Sequence, residues 1–190
     1  MKALLSIDLI NEILHPDGKL SGKGYSEYAS RHNTLSNIRE VHTKARTSKL
    51  LLVHVKLGYS RSYSEHSANS LLLGKAKSFG ALQLDSWGTE FVEAAMPEDD
   101  ENVIIKHRIS AFYGTDLEVL LRANAINEIY ILGVATDLAV ESATRDAHDR
   151  DYLVTVISDC CVAASDADHL NGCQTLKKIS NVVTIDECVF

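Results

Sequence analysis

No apolar run in this sequence approaches the roughly 20 residues that a helix needs to cross a bilayer. Asp8 also interrupts the apolar start "MKALLSIDLI" before the core of a signal peptide is complete. A basic stripe is missing as well, because the 19 Lys and Arg residues are scattered and are outnumbered by 26 Asp and Glu residues. Such a charge distribution cannot neutralise a phosphate backbone. We therefore expect a cytoplasmic protein that has no nucleic-acid partner and no membrane partner.

Cysteine is scarce, and its four positions show none of the paired C-x-x-C spacing of a zinc site. The eight histidines show no ligand spacing either, so we expect no metal site and no cofactor. A chain without a secretion signal keeps its thiols reduced, which argues against a disulfide framework. The adjacent Cys160 and Cys161 follow an apolar segment and are interpreted as small residues that fill the core.

The composition is that of an ordinary globular protein, with 45% apolar and 24% charged residues over a length of 190. We find no internal repeat and expect a single domain over residues 1–190. Short apolar segments alternate with helical stretches, which predicts an α/β fold with an open parallel sheet of about six strands and helices on both faces. These segments are ALLSID, LLLVHVKL, NVIIKH, EIYILGV, LVTVIS and NVVTI.

The clearest helical patterns cover residues 28–47, 116–124, 137–150 and 166–179. Thr115 or Asp116 could cap the second of these helices, and Thr136 or Asp137 the third, since a short side-chain oxygen accepts the free backbone N–H groups of a first turn. The polar segment 58–97 is long for a connection. We predict that it forms a functional loop or lid with short helices.

Two charged residues stand where apolar strands end. Asp8 closes the first strand and Lys106 the third, and in an open parallel sheet ligands bind beyond the carboxyl ends of the strands. Such a pair suggests catalysis. A purely structural interpretation is also open, in which Asp8 caps a helix or simply pairs with Lys106. The fourth strand leads through a sharp turn into a helix, and Ala139 occupies the tip of that turn.

Three stretches together resemble the isochorismatase-like hydrolase family. They are LLSIDLINEIL around Asp8 and Asn11, IIKHRISAFYGTDLEVLL around Lys106, and ILGVATDLAVESATRDAHDRDYLVTVISDCC around Ala139. The resemblance implies a Rossmann-like sheet, a homodimer or homotetramer, and a small-molecule substrate. It also implies a catalytic aspartate at Asp8, a lysine at Lys106, and a cis peptide between Val134 and Ala135. The family's nucleophilic cysteine falls on Ala139.

The missing thiol leaves three interpretations open. In the first, the chain resembles the branch of the family that cleaves a vinyl ether with water, where Asp8 is a general acid and no covalent intermediate is needed. In the second, Ala139 stands in place of the cysteine of an amidase that has been inactivated. In the third, the protein is a ligand-binding relative without activity. The first is the most economical for a chain that keeps both Asp8 and Lys106.

We expect further residues to lie near this site. Backbone N–H groups at Leu138, Ala139 and Val140 open a helix and could hold an anion or a developing oxyanion. Val134, Ala135 and Asn11 complete that set of substrate or oxyanion residues. Possible pocket residues are His54, Arg61, Trp87 and Arg108. The alternatives are a core position for His54 and ordinary surface or packing positions for the other three.

Overall fold

Six parallel strands form one sheet in the order β3-β2-β1-β4-β5-β6. The computed structural model describes all 190 residues, from Met1 to Phe190. The predicted α/β fold and strand number are confirmed, and the strand order is that of a Rossmann-like sheet. The strands are β1 (Lys2–Ile7), β2 (Leu51–Leu57), β3 (Asn102–Lys106), β4 (Glu128–Val134), β5 (Leu153–Val162) and β6 (Asn181–Val183).

The central strand β1 is the reason for the position of the site. It pairs with β2 on one side and with β4 on the other, so the direction in which strands are added reverses there. Its residues from Ala3 to Ile7 are buried, as expected for a strand that is covered on both faces. A reversal of strand order leaves a crevice beyond the carboxyl ends of the strands. Asp8 is the first residue after β1 and therefore enters that crevice.

Seven α-helices connect and cover the strands. Helix α3 connects β1 to β2, and α6 connects β4 to β5. Connections between parallel strands are almost always right-handed, and because the two connections run in opposite directions along the sheet, this rule puts the two helices on opposite faces. None of the helices has the length and apolarity needed to cross a membrane. The helices are α1 (Asn11–Leu14), α2 (Tyr25–Arg31), α3 (Thr34–Thr47), α4 (Ala76–Phe79), α5 (Leu117–Ala123), α6 (Glu141–His148) and α7 (Asp166–Leu176).

The helix predicted over residues 28–47 is wrong in one respect, because the chain breaks it into α2 and α3. Asn33 separates them in the left-handed region at φ 53°. Asparagine tolerates that region better than most residues, so the sequence gives no strong helix-breaking signal there.

The predicted caps are also corrected. The helix expected over 137–150 begins as a single π-helical turn (Thr136–Val140) that leads into α6, and neither Thr136 nor Asp137 caps it. The Thr136 hydroxyl instead donates to the carbonyl oxygen of Val162 at 3.2 Å. Asp116 forms no side-chain cap, whereas the Thr115 hydroxyl oxygen accepts the backbone N–H of Leu117 at 3.3 Å.

The segment 58–97 does contain short helices, as predicted. They are α4 and two 3₁₀ turns, Trp87–Thr89 and Glu93–Ala95. Backbone pairing between Tyr59 and Leu82, whose N–H···O distance is 2.8 Å, closes the segment on itself. The N–H of Val92 donates to the carbonyl oxygen of Leu9 at 3.0 Å and holds the segment to the domain. It therefore forms a folded wall beside the carboxyl ends of the strands.

The cysteines are free thiols, as expected. Cys160 and Cys161 lie inside β5, which continues four residues beyond the predicted segment LVTVIS, and both side chains are buried in the apolar core.

Candidate active site

A small cavity lies beyond the carboxyl ends of the central strands and encloses about 60 Å³. It is not closed off, so a ligand that occupies it can extend toward solvent. Its walls come from the ends of β1 to β4, from the segment between α1 and α2, and from the loop 58–97. The lining residues are Asp8, Ile13, Leu20, Lys23, Tyr25, Leu57, Leu72, Leu73, Lys106, Ile109, Val134, Ala135, Leu138 and Ala139. Asp8, Lys106 and Ala139, which the sequence assigned to the catalytic positions, thus line one cavity.

Asp8 and Lys106 form a buried ion pair in this cavity. The Lys106 Nζ lies 2.8 Å from Asp8 Oδ2, and both side chains are almost fully shielded from solvent. The other carboxylate oxygen, Oδ1, accepts the backbone N–H of Leu57 at 2.8 Å. Lys106 also donates to the carbonyl oxygen of Ile109 at 2.7 Å. Asp8 therefore does not cap a helix, and the pair is fixed by contacts from three separate segments.

The environment of Asp8 makes its carboxyl group a weaker acid than an exposed aspartate. Burial raises the pKa of the Asp8 carboxyl above its usual value, because the cavity disfavours a charge. The ammonium group of Lys106 and the N–H of Leu57 act in the opposite direction on this pKa, and burial outweighs them. Asp8 is thus a carboxyl group that can hold a proton at a higher pH than an exposed aspartate.

The turn after β4 brings Ala139 to the cavity. The peptide between Val134 and Ala135 is cis, as the resemblance implies. Gly133 precedes it at φ 133°, and a Cβ at this position would lie 2.1 Å from the carbonyl oxygen of Ile7, so only glycine fits between β4 and β1. This close approach of β4 to β1 allows the chain to turn directly beyond the end of β1.

The oxyanion interpretation of this turn is corrected for Leu138 and Val140 and stays a prediction for the N–H of Ala139. The N–H groups of Leu138 and Val140 both donate to the carbonyl oxygen of Ala135, each at 3.1 Å, and are therefore not free to hold an anion. Val140 is fully buried and lies outside the cavity lining. Val134, Ala135 and Leu138 contribute apolar wall instead.

Asn11, Trp87, Arg61 and Arg108 do not line the cavity. The Asn11 side chain donates to the carbonyl oxygen of Trp87 at 3.0 Å and so fixes the loop 58–97, while the indole of Trp87 remains half exposed. Arg61 is exposed on the surface. Arg108 lines a neighbouring open cleft, where its Nη1 donates to the carbonyl oxygen of Glu65 at 2.8 Å.

The prediction that His54 lines the pocket is wrong. Its Nε2 lies 2.9 Å from Glu101 Oε2, and its ring packs edge-on against His42 and Phe91. Although burial opposes ionisation, hydrogen bonds from Arg46, the backbone of Glu98 and His54 lower the pKa of Glu101 to about 2. His54 therefore belongs to a structural polar cluster in the core.

Glu12 is a site residue that the sequence reasoning missed. It is 2% exposed, and its two carboxylate oxygens accept the backbone N–H groups of Lys19 at 3.0 Å and Leu82 at 2.8 Å. These bonds tie together the segment before α2 and the loop 58–97, which form two walls of the cavity. The signal in the sequence is a carboxylate inside the apolar stretch "INEIL", shortly after Asp8.

No thiol replaces the missing cysteine at the cavity. All four cysteines lie outside its lining. The thiol of Cys161 donates to the carbonyl oxygen of Ile157 at 3.3 Å, and burial raises the pKa of the Cys160 and Cys161 thiols. Both groups are therefore inert core residues.

Known proteins resemble this chain, with about a quarter of the aligned residues identical. Ureidoacrylate amidohydrolase RutB from Variovorax paradoxus is 28% identical over 169 residues, which cover 83% of this chain and 67% of that protein. N-carbamoylsarcosine amidase from Thermoplasma acidophilum is 26% identical, with a TM-score of 0.77 over 100% of this chain and 99% of that one. An isochorismatase family protein from Burkholderia thailandensis is 27% identical, with a TM-score of 0.80 over 97% and 92% of the two chains.

The family model described as "Isochorismatase domain" matches residues 2–187, which include every residue of the cavity lining. The chain therefore belongs to the isochorismatase-like hydrolase family.

Proposed function

We propose that this hydrolase cleaves an enol ether of a small molecule with water and forms no covalent thiol intermediate. The observation that carries the proposal is the composition of the cavity wall, where Ala139 stands beside the Asp8–Lys106 pair and no cysteine, serine or threonine is present. In a serine protease, loss of the nucleophile costs about 10⁶ in rate. A covalent route through this site would therefore be ineffective, whereas acid-catalysed hydration needs only a proton donor and water.

The reaction that fits the site begins with protonation of the enol carbon. The Asp8 carboxyl gives its proton to that carbon, which turns the enol ether into an oxocarbenium ion and leaves Asp8 as a carboxylate. Water then adds to the cationic carbon, and the hemiketal collapses to a ketone and an alcohol. The proton that water releases restores Asp8, so that one water molecule is consumed in each turnover.

Lys106 supports this reaction by position and charge. Its ammonium group holds Asp8 Oδ2 at 2.8 Å while Leu57 holds Oδ1, so the carboxyl plane is fixed. After proton transfer the lysine stabilises the carboxylate that has formed. The same charge lowers the pKa of Asp8, and burial keeps that pKa above its usual value.

The first test is release of pyruvate from isochorismate by the purified protein, measured beside the Asp8→Asn variant. We expect turnover by the parent protein and a loss of it in the variant. Isochorismate is chosen because its vinyl ether yields pyruvate, which is easily quantified. No turnover above the variant, for isochorismate and for other enol pyruvyl ethers, would overturn the proposed reaction.

Amide hydrolysis is the second candidate, because RutB and the N-carbamoylsarcosine amidase are named for cleavage of C–N bonds. In this alternative Ala139 occupies the place of a nucleophilic cysteine, with Asp8 as the base that takes the thiol proton. The Ala139→Cys variant should then gain hydrolysis of ureido or carbamoyl compounds, measured as ammonia release. Ala139→Ser is the matched control, since its hydroxyl is a far weaker nucleophile. Failure of Ala139→Cys to act on any member of an amide panel would eliminate this alternative.

A further inference from the structure

We propose that Lys23 binds a carboxylate group of the substrate, so that the cavity selects small organic anions over their neutral analogues. The proposal rests on the proposed function for the identity of the cavity as the substrate site. It adds the chemical class of the substrate and assigns a specificity-determining residue that lies outside the Asp8–Lys106 pair.

The charges that line the cavity are unbalanced. Eleven of the fourteen lining residues are hydrophobic, and the three charged ones are Asp8, Lys23 and Lys106. Asp8 and Lys106 neutralise each other at 2.8 Å. Lys23 lines the cavity but is exposed to solvent, and its ammonium group forms no ion pair within 4 Å and no hydrogen bond in the protein. Lys23 is therefore the one charged lining residue without a partner in the protein, although the whole chain has a formal net charge of -7.

The backbone that carries Lys23 is held in place. Lys23 is the last residue of the 3₁₀ turn Ser21–Lys23. The hydroxyl of Ser21 donates to the carbonyl oxygens of Pro16 and Gly18. Gly24 follows at φ 95°, where a Cβ would lie 2.3 Å from the carbonyl oxygen of Ala164. A side chain other than hydrogen cannot occupy that place without a shift of the backbone. Lys23 is thus presented to the cavity from a defined position.

Tyr25 supplies a second donor on the same wall. Its side chain lines the cavity, and its hydroxyl has no hydrogen-bond partner in the protein. Burial, together with the charges of Asp137 and Asp168, raises the pKa of this hydroxyl, so it remains an O–H donor at neutral pH. The hydroxyl of Tyr25 and the ammonium group of Lys23 are both donors of the kind that a carboxylate accepts.

The anion must come from the ligand. Asp8 is the only acidic residue of the lining, and it is already paired. A neutral ligand that filled the apolar cavity would leave the exposed ammonium group of Lys23 with water as its only partner. A carboxylate with an apolar body meets both demands, because the body contacts the aliphatic walls while the charge reaches Lys23.

Binding of matched pairs tests the proposal without any reaction. The probes are benzoate against benzamide and propionate against propionamide, and the readout is the dissociation constant from NMR titration at low ionic strength. We expect each acid to bind about tenfold more tightly than its amide. Lys23→Met should remove this preference and leave the affinity for the amides within about twofold. Lys75→Met is the matched control, because Lys75 is an exposed lysine of the loop 58–97 that does not line the cavity.

The outcomes separate this proposal from the proposed function. Equal affinity for acid and amide in the parent protein, or a preference that survives Lys23→Met, would overturn the role of Lys23. If no enol ether is hydrolysed but the acid preference is retained and depends on Lys23, the proposed reaction is overturned and the anion site stands. Where an anionic substrate is turned over, Lys23→Met should raise KM about tenfold and change kcat little.

Discussion

The Asp8→Asn variant should lose enol-ether hydrolysis by about 10²- to 10⁴-fold in kcat, the range that general acid catalysis supplies. Asparagine has nearly the same shape, and its carbonyl oxygen can still accept the N–H of Leu57, which donates to Asp8 Oδ1 at 2.8 Å. It carries no acidic proton, so the enol carbon cannot be protonated. The measurement is kcat for pyruvate release, with circular dichroism and thermal melting to verify the fold.

The pH dependence gives an independent readout of the same residue. Since the protonated carboxyl is the active form, kcat/KM should be highest below the raised pKa of Asp8 and should fall as the pH rises through it. This descending limb should be absent from any residual activity of Asp8→Asn. Asp17→Asn is the matched control, because that carboxylate is exposed and outside the cavity. If the Asp8→Asn variant kept both the parental activity and the parental fall of kcat/KM with rising pH, Asp8 would be ruled out as the acid.

The Asp8–Lys106 pair could be found from the sequence because of where its two residues stand in it. Asp8 and Lys106 each end an apolar strand, and parallel strands place such ends at one edge of the sheet. The sheet brings them to 2.8 Å because β1 and β2 are neighbours, β2 and β3 are neighbours, and Lys106 reaches across the end of Leu57. The same reasoning could not say that burial would outweigh Lys106 in its effect on the pKa of Asp8, since that balance depends on the atoms around the pair.

The residues that were misassigned depend on tertiary contacts. His54 lies in β2 three residues before its end, and the sequence does not show that the side chain packs against His42 and pairs with Glu101. Trp87 and Arg61 belong to the loop 58–97, whose path is set by contacts such as the one between Glu12 and Leu82. Lys23 was not singled out because its neighbours in the sequence are those of an ordinary surface turn.

The Lys106→Met variant should be destabilised by about 3–5 kcal/mol at neutral pH, the cost typical of removing one partner from a buried ion pair. Asp8 would remain buried, with Leu57 as its one remaining hydrogen-bond donor. Without the ammonium group, burial acts on the pKa of Asp8 unopposed and raises it further. Protonation of Asp8 would therefore relieve the cost, and the deficit in the free energy of unfolding should shrink as the pH falls. Urea unfolding at several pH values measures this deficit.

The double variant Asp8→Asn/Lys106→Met decides whether the effect comes from the unpaired charge. If it does, the double variant should be more stable than Lys106→Met alone at neutral pH, because neither buried charge remains, and the coupling energy between the two sites should exceed about 1 kcal/mol. Its stability should also lose the pH dependence of the single variant. Additive losses that do not change with pH would mean that Lys106 contributes through its packing and its bond to Ile109. The carboxyl group of Asp8 would then be neutral in the resting enzyme, already carrying the proton that the enol carbon receives.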